Sequence, residues 1–125
     1  MASSSSPVLI DTNFVLSCYR FKIPLDEIHR VVEEKHHIAV PENVLTELKN
    51  LPLTGCDKEG RTVMLAILET YPTVPLDGPV DRSLLDYAAG HTCIVCTNDR
   101  ILRKALKRMG TRVIMVRAQS HLVLD

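Results

Sequence analysis

Four acidic residues separated by long stretches of chain, Asp11, Glu47, Asp81 and Asp99, carry the chemistry this sequence suggests. Asp11 closes the run Pro7-Val-Leu-Ile-Asp-Thr-Asn13, where branched apolar residues lead straight into a carboxylate, a hydroxyl and an amide. A short apolar run bounded by turn formers reads as a buried strand of a parallel sheet. In open α/β sheets the chemistry sits just beyond the carboxyl ends of the strands. Asp99 follows the apolar run Cys93–Thr97 in the same manner, although Thr97-Asn-Asp-Arg100 is equally good helix-capping chemistry. If those two strands are neighbours, Asp11 and Asp99 meet at a switch point of the sheet.

Glu47 lies in Glu42-Asn-Val-Leu-Thr-Glu-Leu-Lys-Asn50, on the border of a stripe made by Val44, Leu48 and Leu51. It reads equally as a rim glutamate reaching back to water and as a carboxylate turned toward the core side. Asp81 projects onto the centre of the stripe formed by Leu84, Leu85, Ala88 and Ala89. An N-cap role suits it there too, and capping does not exclude a site role. Carboxylates crowded together repel and raise one another's pKa. A hard divalent cation removes that repulsion, and an oxygen-only donor set favours Mg²⁺ or Mn²⁺. Such an ion activates water and neutralises charge developing on a phosphoryl group.

Positive charge follows directly. Residues 100–117 contain Arg100, Arg103, Lys104, Lys107, Arg108, Arg112 and Arg117 and no acidic residue. On the helix expected there, Ile101, Leu102, Ala105, Leu106 and Met109 face inward, while Arg100, Arg103, Lys104 and Lys107 form one basic face. That face suits a solvated helix surface, with cations favoured near the C-terminus. It also suits a phosphate-backbone track for RNA running from Asp99. Aromatic residues make up only 4% of the chain, so base stacking is poorly supplied.

The elements that must position these groups alternate. Strands are expected at Val8–Ile10, Ile38–Val40, Cys93–Thr97 and, last in the chain, Arg112–Val116, with a short one around Val74. Helices are expected at Phe14–Arg20, from Pro24 to about His36, at Glu42–Leu51, Asp57–Tyr71 and Asp81–Gly90, and from Asn98 or Asp99 to Met109. Gly110 then supplies the C-terminal stop. Strands alternating with helices make an α/β sandwich around a central parallel sheet of four to five strands. Residues 1–6 read as a disordered, serine-rich tail and residues 7–125 as one domain.

Bulk composition narrows the class. A hydrophobic share of 46% supports a globular core, and 15 basic residues balance 15 acidic ones. No stretch approaches the roughly 18 apolar residues of a membrane span, and the first residues lack a signal-peptide pattern, so a cytoplasmic location is expected. Cys93 and Cys96 fall on opposite faces of a strand; with Cys18 and Cys56 they read as reduced core thiols. There is no Gly-x-Gly-x-x-Gly and no Walker loop. Asp11-Thr12-Asn13 lacks the second aspartate of haloacid-dehalogenase phosphotransferases, and the acidic pair and lysine of response-regulator receivers are missing.

With these residues in place the chain resembles the PIN-domain ribonucleases. Val8-Leu-Ile-Asp-Thr-Asn13 resembles that family's opening strand, and Val40-Pro-Glu-Asn-Val-Leu-Thr-Glu47-Leu its central acidic helix. Val80-Asp81-Arg-Ser-Leu-Leu resembles the third motif and Ile94-Val-Cys-Thr97-Asn-Asp99-Arg-Ile-Leu the fourth, in the right order and spacing. Thr-Asn-Asp-Arg-x-Leu before a basic helix is most similar to archaeal stand-alone PIN proteins related to the small-subunit processome nucleases of rRNA maturation. Arg82 departs from a subgroup that often has a second aspartate there, so only Asp81 is carried over. The lack of a zinc ribbon separates the chain from the Nob-type nuclease.

The resemblance implies Mg²⁺- or Mn²⁺-dependent cleavage of single-stranded RNA; attack on phosphorus by metal-activated water would leave 5′-phosphate and 3′-hydroxyl ends. It implies an acidic site of Asp11, Glu47, Asp81 and Asp99, with Asn13 and Thr97 as polar support. The partners implied are RNA (rRNA or its precursor), a second copy of the chain and ribosome-assembly proteins. A VapC-type toxin would instead pair with an antitoxin, and a PIN module that no longer cleaves would serve as an RNA-binding scaffold.

Overall fold

Val8-Leu-Ile10, Ile38-Ala-Val40 and Ile94-Val-Cys96 are buried throughout, as apolar runs covered from both sides must be. The structure is a computed structural model and describes residues 5–125. In chain order its elements are β1 (Ser6–Ile10), α1 (Thr12–Arg20), α2 (Glu27–Val31), β2 (His36–Pro41), α3 (Glu42–Asn50), α4 (Cys56–Leu68), β3 (Thr73–Val74), α5 (Val80–Gly90), β4 (Ile94–Cys96), α6 (Arg100–Arg108), β5 (Arg112–Arg117) and β6 (His121–Leu124). They build an α/β sandwich on a six-stranded sheet of order β3-β2-β1-β4-β5-β6. All neighbours run parallel except β5 and β6.

The strand order places the switch point. From β1 the chain moves outward to β2 and β3, then returns to lay β4 against the other side of β1. Ile10 is registered with Cys96, and the Asp11 N–H donates to the Cys96 carbonyl at 3.1 Å. The residues that follow, Asp11 on one strand and Thr97 on the other, therefore emerge side by side at the carboxyl edge. Leu48 of α3 and Leu84 of α5 are fully buried and anchor the helices that bear Glu47 and Asp81.

Several expectations are corrected. The helix from Pro24 to His36 shrinks to Glu27–Val31, preceded by turns in which Glu27 and Ile28 N–H groups reach back to Pro24 and Leu25 carbonyls. Val32 is already extended, and His36 and His37 join the parallel ladder opposite Ser6 and Pro7. Pairing with β1 wins over a helix that has no apolar stripe beyond Val32. Ser6 is thereby a strand residue and not part of a tail; residues 1–4 of that tail lie outside the described residues. Cys18, Cys93 and Cys96 are buried free thiols, but Cys56 is exposed at the start of α4. Ile101 points to solvent at 83% exposure, and Met109 is exposed as well. Asp99 caps α6 by accepting the Leu102 N–H at 2.9 Å, and Leu102 and Leu106 form its buried face, which leaves Ile101 outside. Among the described residues, no helix is long and apolar enough to cross a membrane.

The sixth strand has no counterpart in the sequence reading, because the β5–β6 turn lacks Gly, Pro, Asn and Asp. Ala118 and Gln119 both adopt positive φ, 53° and 54°, and the Ser120 N–H donates to the Arg117 carbonyl at 3.2 Å. Positive φ at both central positions is what a type I′ turn requires, and Asn-Gly meets it best. Left-handed φ costs ordinary residues about 1 kcal/mol or more each, partly offset by glycine's greater freedom in the unfolded chain. Ala118→Asn with Gln119→Gly should raise stability by about 1 kcal/mol, read as a higher urea midpoint at unchanged m-value.

Candidate acidic active site

Asp11 is the buried centre of the carboxyl edge. Its Oδ1 accepts the Phe14 N–H at 2.8 Å and caps α1, while its Oδ2 accepts the hydroxyl of Thr97. Thr97 is fully buried, and its Oγ1 also accepts the Asp99 N–H at 3.1 Å. One hydroxyl thus bridges the two strand-end aspartates. Asn98, between them, holds β5 in place by accepting the Val116 N–H at 2.9 Å.

Glu47 and Asp81 approach from α3 and α5. Both are exposed: Glu47 takes the rim position, one of the two its spacing allowed, whereas Asp81 is not turned inward as its place on the stripe suggested. They nevertheless lie within electrostatic reach, Glu47 of Asp81 and Asp81 of both strand-end aspartates. Burial is the main cause that raises the Asp81 carboxyl, and the negative charges of Asp99 and Glu47 raise it further. Asp11 is pushed up to about 6, chiefly by burial; the Thr97 and Phe14 hydrogen bonds oppose the rise, and Asp81 and Asp99 add to it. The four carboxylates that the sequence singled out therefore share one electrostatic neighbourhood. Among the described residues, no group of three or more is drawn tightly enough to hold an ion.

Among the described residues, no cation pairs with that charge. The ion pairs among the described residues are Arg20–Asp57, Arg30–Glu27, Lys107–Asp125 and Arg112–Glu34, and none includes a member of the acidic group. An all-oxygen donor set carrying unbalanced negative charge fits a hard divalent cation.

The polar support is uneven. Thr97 is hydrogen-bonded to both strand-end aspartates, whereas Asn13 is exposed and makes no side-chain hydrogen bond among the described residues. The basic face is also thinner than the sequence suggested. Arg100 and Lys104 are exposed, but Arg103 turns its guanidinium to the Met115 sulfur at 3.4 Å and Lys107 pairs with Asp125 at 2.7 Å.

A latch between the two helices escaped the sequence reading. Asn43 Nδ2 donates to Ser83 Oγ at 2.7 Å and to the Gly78 carbonyl at 3.2 Å, and Ser83 Oγ donates to the Val80 carbonyl at 2.8 Å. It ties α3 to α5 and so sets Glu47 relative to Asp81. Asn43, Glu47 and Leu51 recur at i, i+4 and i+8, so a polar residue sharing the face of Glu47 was the available signal.

Comparison with known proteins agrees with this fold. A solved structure of the PIN domain endonuclease Utp24 superposes with a TM-score of 0.78 at 23% identity, over 95% of this chain and 90% of that one. Ribonuclease VapC9 of Archaeoglobus fulgidus is 28% identical over 108 residues, 84% of this chain and 78% of the relative. The family model described as a PIN like domain matches residues 8–119. That match spans nearly the whole chain, which therefore belongs to the PIN-like domain family.

Proposed function

We propose that the protein is a Mg²⁺- or Mn²⁺-dependent endoribonuclease that hydrolyses single-stranded RNA, with a role in rRNA processing. The observation that carries the reading is Asp11, a buried carboxylate raised to about 6 beside Asp81 and Asp99 with no cationic partner among the described residues. Asp11 and Asp99 would hold the ion, with Glu47 and Asp81 as further ligands or as acceptors for its waters. When bound, the ion supplies Lewis-acid activation of water and neutralises the charge that builds on the phosphoryl group. Thr97 orients both strand-end aspartates, and the Asn43–Ser83 latch holds the two helices at the distance the substrate needs. Arg100 and Lys104, with Arg103 and Lys107 behind them, offer the phosphate backbone its positive contacts.

The 28% identical relative named Ribonuclease VapC9 favours a second reading, a toxin ribonuclease held by an antitoxin. Growth arrest on expression would identify that case. The primary test is an end-labelled single-stranded RNA incubated with Mn²⁺ and with EDTA. Cleavage only with the metal, leaving 3′-hydroxyl ends, is expected. RNA that is bound but stays intact with every divalent ion would overturn the enzyme reading in favour of a scaffold.

A further inference from the structure

The sheet ends in two edges, and they are built differently. At one, β3 has only two residues and sits between Pro72 and Pro75, which offer no N–H to an incoming strand. At the other, β6 reads His121-Leu-Val-Leu124, in unbroken register with β5 and without proline or lysine. A bare apolar edge of this kind is a template for another strand. The register fixes which of its backbone groups are free. Asp125 and Val113 exchange N–H···O bonds at 2.8 and 3.3 Å, so by alternation Val123 and His121 also bond inward to β5. The N–H and carbonyl groups of Leu122 and Leu124 therefore point outward, and no turn, loop or side chain among the described residues bonds to them. Beside them lies a groove of about 570 Å³, lined by Val31 and Glu33 as well as by Leu122, Val123 and Leu124.

The strand that fits this edge is β6 itself. An antiparallel copy, related by a two-fold axis at Val123, sets Leu122 against Leu124 of the second copy and Leu124 against its Leu122. Among the described residues, this is the symmetric register that satisfies the outward groups of both leucines. Residues opposite one another on paired strands share a face, so Val123 packs on its own counterpart. His121 then stands opposite Asp125 of the second copy, on both sides of the axis. The match is one of charge and of vacancy. Lys107 holds Asp125 Oδ2 at 2.7 Å and leaves Oδ1 without a partner among the described residues, and the His121 side chain is exposed. Like charges at these two positions would have been repelled twice by the same symmetry. We propose that β6 is a dimerisation edge, to which a second copy of this chain adds its own β6 antiparallel and so joins the two sheets into one. β5 separates this edge from the β1–β4 switch point, so the pairing does not depend on the nuclease reading.

The test is sedimentation equilibrium of the full chain from micromolar to millimolar concentration. A monomer–dimer equilibrium is expected, weak because the edge is short. Exchange of the Leu122 and Leu124 amide hydrogens should slow as the dimer forms. Val123→Lys brings like charges together at the axis and should weaken the dimer by about tenfold. His121→Asp faces Asp125 twice and should weaken it about fivefold, whereas His121→Lys should tighten it by about the same factor. Leu124→Pro removes only an outward N–H, so it should abolish the dimer while the melting temperature of the monomer stays near that of the wild type. The opposite shifts of the two His121 variants are the result that a merely structural role of β6 would not give. A protein that stays monomeric at every concentration overturns the proposal. So does a dimer that all four variants leave unchanged, since its interface would lie elsewhere. Amide protection of Leu122 and Leu124 by an added extended peptide, without any self-association, also overturns the second copy as occupant.

Discussion

Asp11→Asn is expected to reduce Mn²⁺-dependent RNA cleavage by about 10³-fold or more, the loss of roughly 4 kcal/mol of transition-state stabilisation. The same substitution should make the metal-free protein more stable at pH 7.5. The folded carboxyl is raised from 3.8 to about 6, so between those values the folded state binds more protons than the unfolded chain. Stability from this group is therefore full below about pH 4 and is lost as pH rises toward 6, amounting to about 3 kcal/mol. Asparagine carries no charge and still caps α1 by accepting the Phe14 N–H. It cannot also accept the Thr97 hydroxyl, which costs about 1 kcal/mol. The net gain at pH 7.5 in EDTA should be about 2 kcal/mol, and at pH 4 the variant should gain nothing. Urea unfolding of both proteins at the two pH values checks the sign. Added Mn²⁺ should then stabilise the wild type at pH 7.5 and leave the variant unmoved. A variant weaker at both pH values would mean that Asp11 serves only as a cap.

The parts of the molecule that were legible in the sequence are those whose local chemistry agrees with their tertiary surroundings. The runs Val8–Ile10, Ile38–Val40 and Ile94–Cys96 are too short and too apolar for anything but buried strands, and they are the heart of the sheet. Two aspartates at the ends of such strands were legible for the same reason. Where tertiary structure overrode local pattern, the reading failed. The periodicity of Leu25, Ile28 and Val32 is satisfied by turns and a single short helix as well as by a long one, and only pairing with Ser6 and Pro7 decides it. The β5–β6 hairpin closes through Ala118 and Gln119, residues with no turn signal. Ile101 lies one position from Leu102, and the packing of α6 against the rest of the fold buries Leu102 and leaves Ile101 exposed. Asp81 was placed at the centre of an inward stripe, yet it sits at the rim beside Glu47, whose spacing allowed either side, and water still reaches both charges. The Asn43–Ser83 bond joins residues forty apart and exists only in space.

Thr97→Val should separate support of the site from the carboxylates themselves. Valine keeps the shape of the buried side chain and removes the one hydroxyl that serves Asp11 and Asp99 together. The Thr97 hydrogen bond holds the Asp11 carboxyl lower than burial alone would leave it. Its loss should raise that carboxyl further, so the acid limb of the pH–activity profile moves to higher pH. With Asp11 less ionised and less firmly oriented, Mn²⁺ affinity should fall by about 10–100-fold, as for other groups that orient metal ligands. Calorimetric titration of Mn²⁺ reads the affinity, and kcat/KM against pH reads the limb. Thr97→Ser retains the hydroxyl and should restore both, whereas a defect of packing would follow the lost methyl and appear in serine instead. A valine variant with wild-type Mn²⁺ affinity and an unmoved acid limb would show that the strand-end aspartates hold their geometry without the bridge. The sheet register alone would then have to position them.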